Sequence, residues 1–139
     1  HGSIRSTIWK GGGVAFGPRN ERTYTTHINK KMKQAALRMV LSDKLSDQRL
    51  IFVNSLALPE IKTKLVTAAL RKLPVKGRTT MFVVDKEAKH LNRSSRNLKD
   101  VRTLGVESLN VYDLINANTV VLPVAALAII EQLYGPKKA

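Results

Sequence analysis

Among the residues able to do chemistry, basic ones dominate the first quarter of the chain. Arg5, Lys10, Arg19, Arg22, Lys30, Lys31, Lys33 and Arg38 stand against a single acid, Glu21, over residues 1–38. Cations at that density suit a polyanion, because each phosphate they neutralise releases counterions and adds affinity that falls with salt. Trp9 lies between Arg5 and Lys10, outside any apolar periodicity. Its ring either stacks on an unpaired base or folds back on the rest of the protein as a latch, and Tyr24 and His27 allow the same two readings. A second cluster comprises Lys86, Lys89, His90, Asn92, Arg93, Arg96 and Asn97. Arg and Asn there can hydrogen-bond phosphate or ribose, and the same residues would also suit a polar surface helix.

Catalytic constellations are thin. His1, His27 and His90 lack metal-ligand spacing. The absence of cysteine excludes disulfides, thiolate nucleophiles and thiolate metal sites. No Gly-x-Ser-x-Gly elbow is present. The stretch Gly11-Gly12-Gly13-Val14-Ala15-Phe16-Gly17-Pro18 lacks the Lys and Ser or Thr that a phosphate loop needs straight after its last glycine. Its glycines are read as letting backbone pass close to another backbone, with RNA as the candidate, or as a plain flexible loop. Asp85 and Glu87 follow a strand, where α/β enzymes place chemistry, but beside Lys86 and Lys89 they read as a solvated loop. The expectation is a non-enzyme without cofactor or metal.

The whole chain sharpens this. With 139 residues it holds one domain, and 43% hydrophobic content gives that domain an aliphatic core, since aromatics make up only 5%. The net charge is +14, from 24 basic against 10 acidic side chains. A nucleic acid answers such an imbalance better than a membrane, which would call for a basic amphipathic helix with bulky anchors. The longest apolar stretch, from Val120 to Ile130, is interrupted by Pro123 and is too short to span a bilayer.

The elements that must position these residues alternate. Residues 1–28 show no sustained period and read as an extended, basic, glycine-rich loop that becomes ordered against a partner. Residues 29–139 read as a globular α/β domain. Its first helix starts with Asn29 at the N-cap and carries Ile28, Met32, Ala35, Ala36, Met39 and Val40 on its core face. Arg49 to Val53 is a strand buried on both faces. A helix opens at Pro59-Glu60, packs Ile61, Leu65, Ala68, Ala69 and Leu73, and stops at Pro74. Strands at Thr79 to Val84, Val101 to Val106 and Thr119 to Leu122 follow, with a polar helix over 88–98 between the first two. A short helix is opened by the capping pair Asn110 and Asp113. A last helix, Val124 to Tyr134, ends at Gly135-Pro136. This order predicts a three-layer α/β fold, with a mainly parallel sheet of about four strands and helices on both faces.

At this point a family resemblance enters. His1-Gly2-Ser3-Ile4-Arg5-Ser6-Thr7-Ile8-Trp9-Lys10, continuing through Gly11-Gly12-Gly13-Val14-Ala15-Phe16-Gly17-Pro18-Arg19, resembles the central motif of the universal ribosomal large-subunit protein four family, in its bacterial and organellar form. Asn29-Lys30-Lys31, Ala35-Ala36-Leu37-Arg38 and Leu41-Ser42-Asp43-Lys44 look like the helix that follows it. Ser94, Arg96, Asn97 and Leu98, with Leu109-Asn110-Val111-Tyr112-Asp113, are similar to its C-terminal signature. Thr7 departs from the family pattern, which usually has proline there.

The resemblance implies a structural, non-catalytic protein of the large ribosomal subunit, bacterial and cytoplasmic or organellar. It implies ribosomal RNA and neighbouring ribosomal proteins as partners, no membrane, and for some bacterial members the leader of their own messenger RNA, as a translational regulator. It also implies that Arg5, Trp9, Lys10, Arg19, Arg22, Lys30, Lys31, Lys33 and Arg38 contact ribosomal RNA, with Arg93, Arg96 and Asn97 as further contacts. In the family the loop reaches the wall of the peptide exit tunnel. On that pattern the chain begins on the returning limb of this loop, without the segment that usually precedes it.

Overall fold

The computed structural model describes residues 2–84 and 88–135, with Lys89 described by its main chain alone. Nine α-helices and strands alternate along it: α1 (Lys30–Ser46), β1 (Leu50–Val53), α2 (Thr63–Lys72), β2 (Thr80–Val84), α3 (Lys89–Ser95), β3 (Val101–Gly105), α4 (Val111–Asn116), β4 (Thr119–Pro123) and α5 (Val124–Tyr134), with a short 3-10 turn at Val106–Ser108 after β3. The strands form one sheet in the order β1-β4-β2-β3, and every pair is parallel. One face packs Met81, Val83, Val120 and Leu122 against Leu37 of α1, Leu114 of α4 and Ala126 of α5. The other packs Phe82, Val84 and Val121 against Val66 of α2 and Leu91 of α3. The expected three-layer α/β architecture is therefore the observed one.

The inner strands β2 and β4 are buried at all five positions, which is why their sequences are nearly continuous apolar runs. β1 departs from the expected strand covered on both faces: it lies at the sheet edge, and Phe52 is 43% exposed. A short apolar run marks a strand but does not say how many neighbours it has.

Two helices turn to the core a side that matches their expected apolar face only in part, at Val40 in the first and Leu73 in the second. In α1 the buried side is Leu37 and Lys44, with Val40 and Leu41 packed beside Leu37, whereas Met32 and Met39 of the expected face are 62% and 71% exposed. The cause is Lys44. Its Nζ donates to the main-chain oxygen of Ala117 at 2.7 Å, so a lysine occupies the inward row and hides it from a hydropathy reading. Asn29 does hold the N-cap position, although its side chain makes no capping bond. The second helix starts at Thr63, not at Pro59-Glu60, because the Lys62 N–H donates to the Glu60 oxygen, a contact no α-helix can contain. Its inward row is Val66 with Leu70 and Leu73, leaving Ile61 48% exposed.

Local signals fare better. The Asn110 side chain accepts from the Asp113 N–H at 2.8 Å and donates to the Asp113 carboxylate at 2.6 Å, closing the capping pair that opens α4. The helix over 88–98 is shortened to Lys89–Ser95, where Leu98 N–H turns back to the Ser95 oxygen at 2.9 Å. Among the described residues, no helix is long and apolar enough to cross a membrane.

Candidate nucleic-acid interface

The residues before α1 are organised by turns. Ser6 N–H donates to Ser3 O, Trp9 to Ser6, Gly12 to Trp9 and Gly13 to Arg5, at 2.9, 3.2, 2.9 and 2.9 Å. A Cβ on Gly12 would stand 1.9 Å from the Ser6 carbonyl oxygen, so only glycine fits that crossing. The close backbone approach expected of this glycine run is thus made by the segment to itself, and it holds Arg5 and Trp9 on one compact loop. Trp9 is 43% exposed and belongs to neither apolar core cluster.

Further along, the Arg19 guanidinium lies 5.4 Å from the centre of the Phe16 ring, and that of Arg22 lies 5.1 Å from Tyr24. Both rings are 75% exposed. An exposed ring with a guanidinium over it offers a stacking surface and a phosphate ligand side by side. Phe16 was missed as an individual site residue; its spacing of three from Arg19 is the only sequence signal that pointed to it.

α1 continues the track. Lys30, Lys31, Lys33 and Arg38 are all exposed, and no acid stands in the first turn of the helix. Three lysines at the positive end of a helix dipole oppose its stability, by about 0.3–1 kcal/mol each at low ionic strength. That placement suits an external anion, not the helix. None of the eight basic side chains in residues 2–38 takes part in an ion pair among the described residues.

The second predicted cluster stands apart from this track. α1 packs with α4 and α5 on one face of the sheet, and α3 packs with α2 on the other. Arg93 and Arg96 are exposed at the rim of a cavity of about 530 Å³ beside β3, and Asn97 is exposed but outside its lining. His90 is exposed, and its Nδ1, 3.0 Å from the Leu58 oxygen, ties α3 to the loop after β1. Asp85, Lys86 and Glu87, the Lys89 side chain and His1 lie outside the described residues.

Two further places bear on catalysis and metal binding. At the carboxyl ends of β1 and β4, where an α/β enzyme would place its substrate, the cavity is about 210 Å³ and lined by Asn54, Ser55, Leu56, Ala57, Ala88, Pro123 and Ala125. Among the described residues of this lining there is no titratable side chain. Among the described residues, no group of three or more His, Asp or Glu side chains is placed to hold a metal ion.

Comparison with known proteins follows the same line. The family model described as the ribosomal protein L4/L1 family matches residues 1–133. The chain is 39% identical over 132 residues to the large ribosomal subunit protein uL4 of Desulfitobacterium hafniense, covering 95% of this chain and 63% of that protein. It is 41% identical over 130 residues to the uL4 protein of Desulfatibacillum aliphaticivorans, covering 94% and 62% of the two chains. With that of Spiroplasma kunkelii the identity is 34% over 135 residues, covering 96% and 64%. The chain therefore spans somewhat under two thirds of the length of these relatives.

Proposed function

The chain belongs to the ribosomal protein L4/L1 family, and on that premise we propose that it is an RNA-binding structural component of the large ribosomal subunit. The observation that carries the proposal is the run of eight basic side chains over residues 2–38, exposed and without acid partners among the described residues. Because the family match starts at residue 1, this run lies inside the part of the chain that aligns with ribosomal proteins.

On this reading Arg5, Lys10, Arg19, Arg22, Lys30, Lys31, Lys33 and Arg38 bind phosphates of large-subunit ribosomal RNA. Trp9, Phe16 and Tyr24 stack on unpaired bases, and the domain of residues 29–139 anchors the segment to the particle. The segment of residues 1–28 would belong to the loop that borders the peptide exit tunnel. Binding and positioning are the whole of the chemistry: the protein works by neutralising and ordering RNA, with no substrate turned over.

Filter binding of a large-subunit ribosomal RNA fragment across a salt series tests this. Deleting residues 1–28 removes four cations, Arg5, Lys10, Arg19 and Arg22. If all four contact phosphate, the slope of log affinity against log salt becomes shallower by about 3. An unchanged slope and affinity would overturn the proposal.

A further inference from the structure

We infer that the outer edge of β3 is a docking groove for an extended, acidic segment of another protein, which adds to the sheet as a strand. The inference is independent of the RNA-binding segment and rests on register, charge and shape.

β3 is the edge strand on its side, with β2 as its only strand neighbour among the described residues. Thr80 is in register with Val101, and its N–H donates to the Asp100 oxygen at 2.8 Å. In a parallel ladder alternate residues address the same neighbour. Asp100, Arg102 and Leu104 therefore turn their main-chain groups to β2, while Val101, Thr103 and Gly105 turn theirs outward. Val101 N–H is taken by Leu98 O, and the Gly105 carbonyl caps the short 3-10 turn Val106–Ser108 that follows β3, which leaves the main-chain groups of Thr103 and the Gly105 N–H facing the open side. An edge of this kind accepts another strand unless something blocks it.

The space beside it is shaped for one. The cavity of about 530 Å³ runs along Val101 to Leu104, with Met81 and Leu104 giving it an apolar floor. Arg93 and Arg96 stand on its α3 wall with no ion-pair partner among the described residues. Arg102 stands on the α4 wall, its guanidinium 3.5 Å from the Asp113 carboxylate. Three guanidinium groups against one carboxylate make the groove positive, so the incoming strand should carry acids on its exposed positions. Thr103 is held by its side chain, whose hydroxyl donates to Asn92 at 2.9 Å, so the edge is already set in place. No aromatic side chain lines the cavity, and a single-stranded RNA, which binds by stacking, would find no platform there.

The test uses the full chain and a fluorescent peptide of about ten residues, alternating Val or Thr with Glu to match the strand period. Anisotropy should show saturable binding. The double variant R93E/R96E, two changes at exposed positions, should weaken it about tenfold or more. A peptide N-methylated on alternate amides leaves the protein untouched and should lose binding to a similar degree. On binding, the Thr103 and Gly105 amides should become protected from hydrogen exchange. No binding, or equal binding by the N-methylated peptide, would overturn the inference. Affinity insensitive to R93E/R96E would overturn it too, since the basic N-terminal segment would then be the receptor. A uridine oligonucleotide that displaces the peptide and depends on the same two arginines would instead make the groove an RNA site.

Discussion

Beyond α1, three of the six arginines are held by acids: Arg49 lies 3.4 Å from Asp47, Arg78 2.9 Å from Asp100 and Arg102 3.5 Å from Asp113. From Arg5 to Arg38 the same kind of side chain stands on aromatic rings or in water, with no carboxylate partner among the described residues. The domain's pairs are solvent-exposed, and each contributes at most about 1 kcal/mol to stability. Their larger effect is to quiet the field over that surface. The N-terminal segment and α1 keep theirs open, at a cost in self-repulsion and in helix-dipole mismatch that only a bound polyanion relieves. The same residue type thus does two jobs, and the presence of an acid neighbour separates them.

The strongest way to break that comparison is to reverse charge in each region and read both affinity and stability. Arg19, Arg22, Lys30 and Lys33 changed together to Glu should weaken binding to large-subunit ribosomal RNA about a thousandfold, roughly 4 kcal/mol, with the unfolding midpoint unchanged or raised. Reversing Arg49, Arg78 and Arg102 should cost about tenfold or less in affinity and lower the midpoint by a few degrees. Equal losses from both sets in a salt titration would show that total charge, not its lack of partners, governs binding.

A smaller effect isolates the shape of the segment from its charge. Gly12→Ala places a methyl group against the Ser6 carbonyl, so the turns between Ser3 and Gly13 must open. No charge changes and no core residue moves. RNA affinity should fall about tenfold through lost preorganisation of Arg5 and Trp9, with the salt slope and thermal stability as before. A drop in thermal stability would mean that the loop is packed on the domain, which is the latch role considered for Trp9.

What was legible in the sequence follows the same division. The parallel sheet could be read because Met81 to Val84 and Val120 to Leu122 are buried on both faces and carry little but apolar residues. The Asn110 cap could be read because both its partners lie within four residues. Features set by distant contacts could not. The edge position of β1 depends on strand order, and the bond that places Lys44 in the core of α1 comes from Ala117, 73 residues away. The basic run was plain as composition, but its lack of ion pairs is a fact of three dimensions. The groove beside β3 has no sequence mark, because α3, β3 and α4 meet there only through the fold.

Lys44 supplies the mirror image of the exposed lysines of α1, and the finest test. It is buried, its ammonium caps the carboxyl end of α4 through Ala117 and more weakly Ile115, and burial, with the Arg49 charge adding to it, holds its pKa below the ordinary 10.5. Lys44→Met keeps the aliphatic stem but leaves the Ala117 oxygen without its donor. The variant should lose about 1 kcal/mol at neutral pH, because an orphaned buried carbonyl outweighs the relief of removing a desolvated charge. The pH dependence gives the sign. Between the lowered folded value and 10.5 the unfolded chain holds more protons at this site than the folded one, so its contribution to stability rises with pH through that window. Tyr134, pushed above 10.0 by its own burial and by Glu107, acts in the opposite direction near pH 10, but it is present in both proteins and cancels in their difference. Denaturant unfolding at pH 7 and pH 10 should therefore show the gap between wild type and Lys44→Met widening with pH, while RNA binding at neutral pH stays equal. A gap that narrows would mean that Lys44 is held as a favoured charge. The contrast between its internal carbonyl partners and the exposed cations of α1, which have no acid partner among the described residues, would then be one of geometry alone.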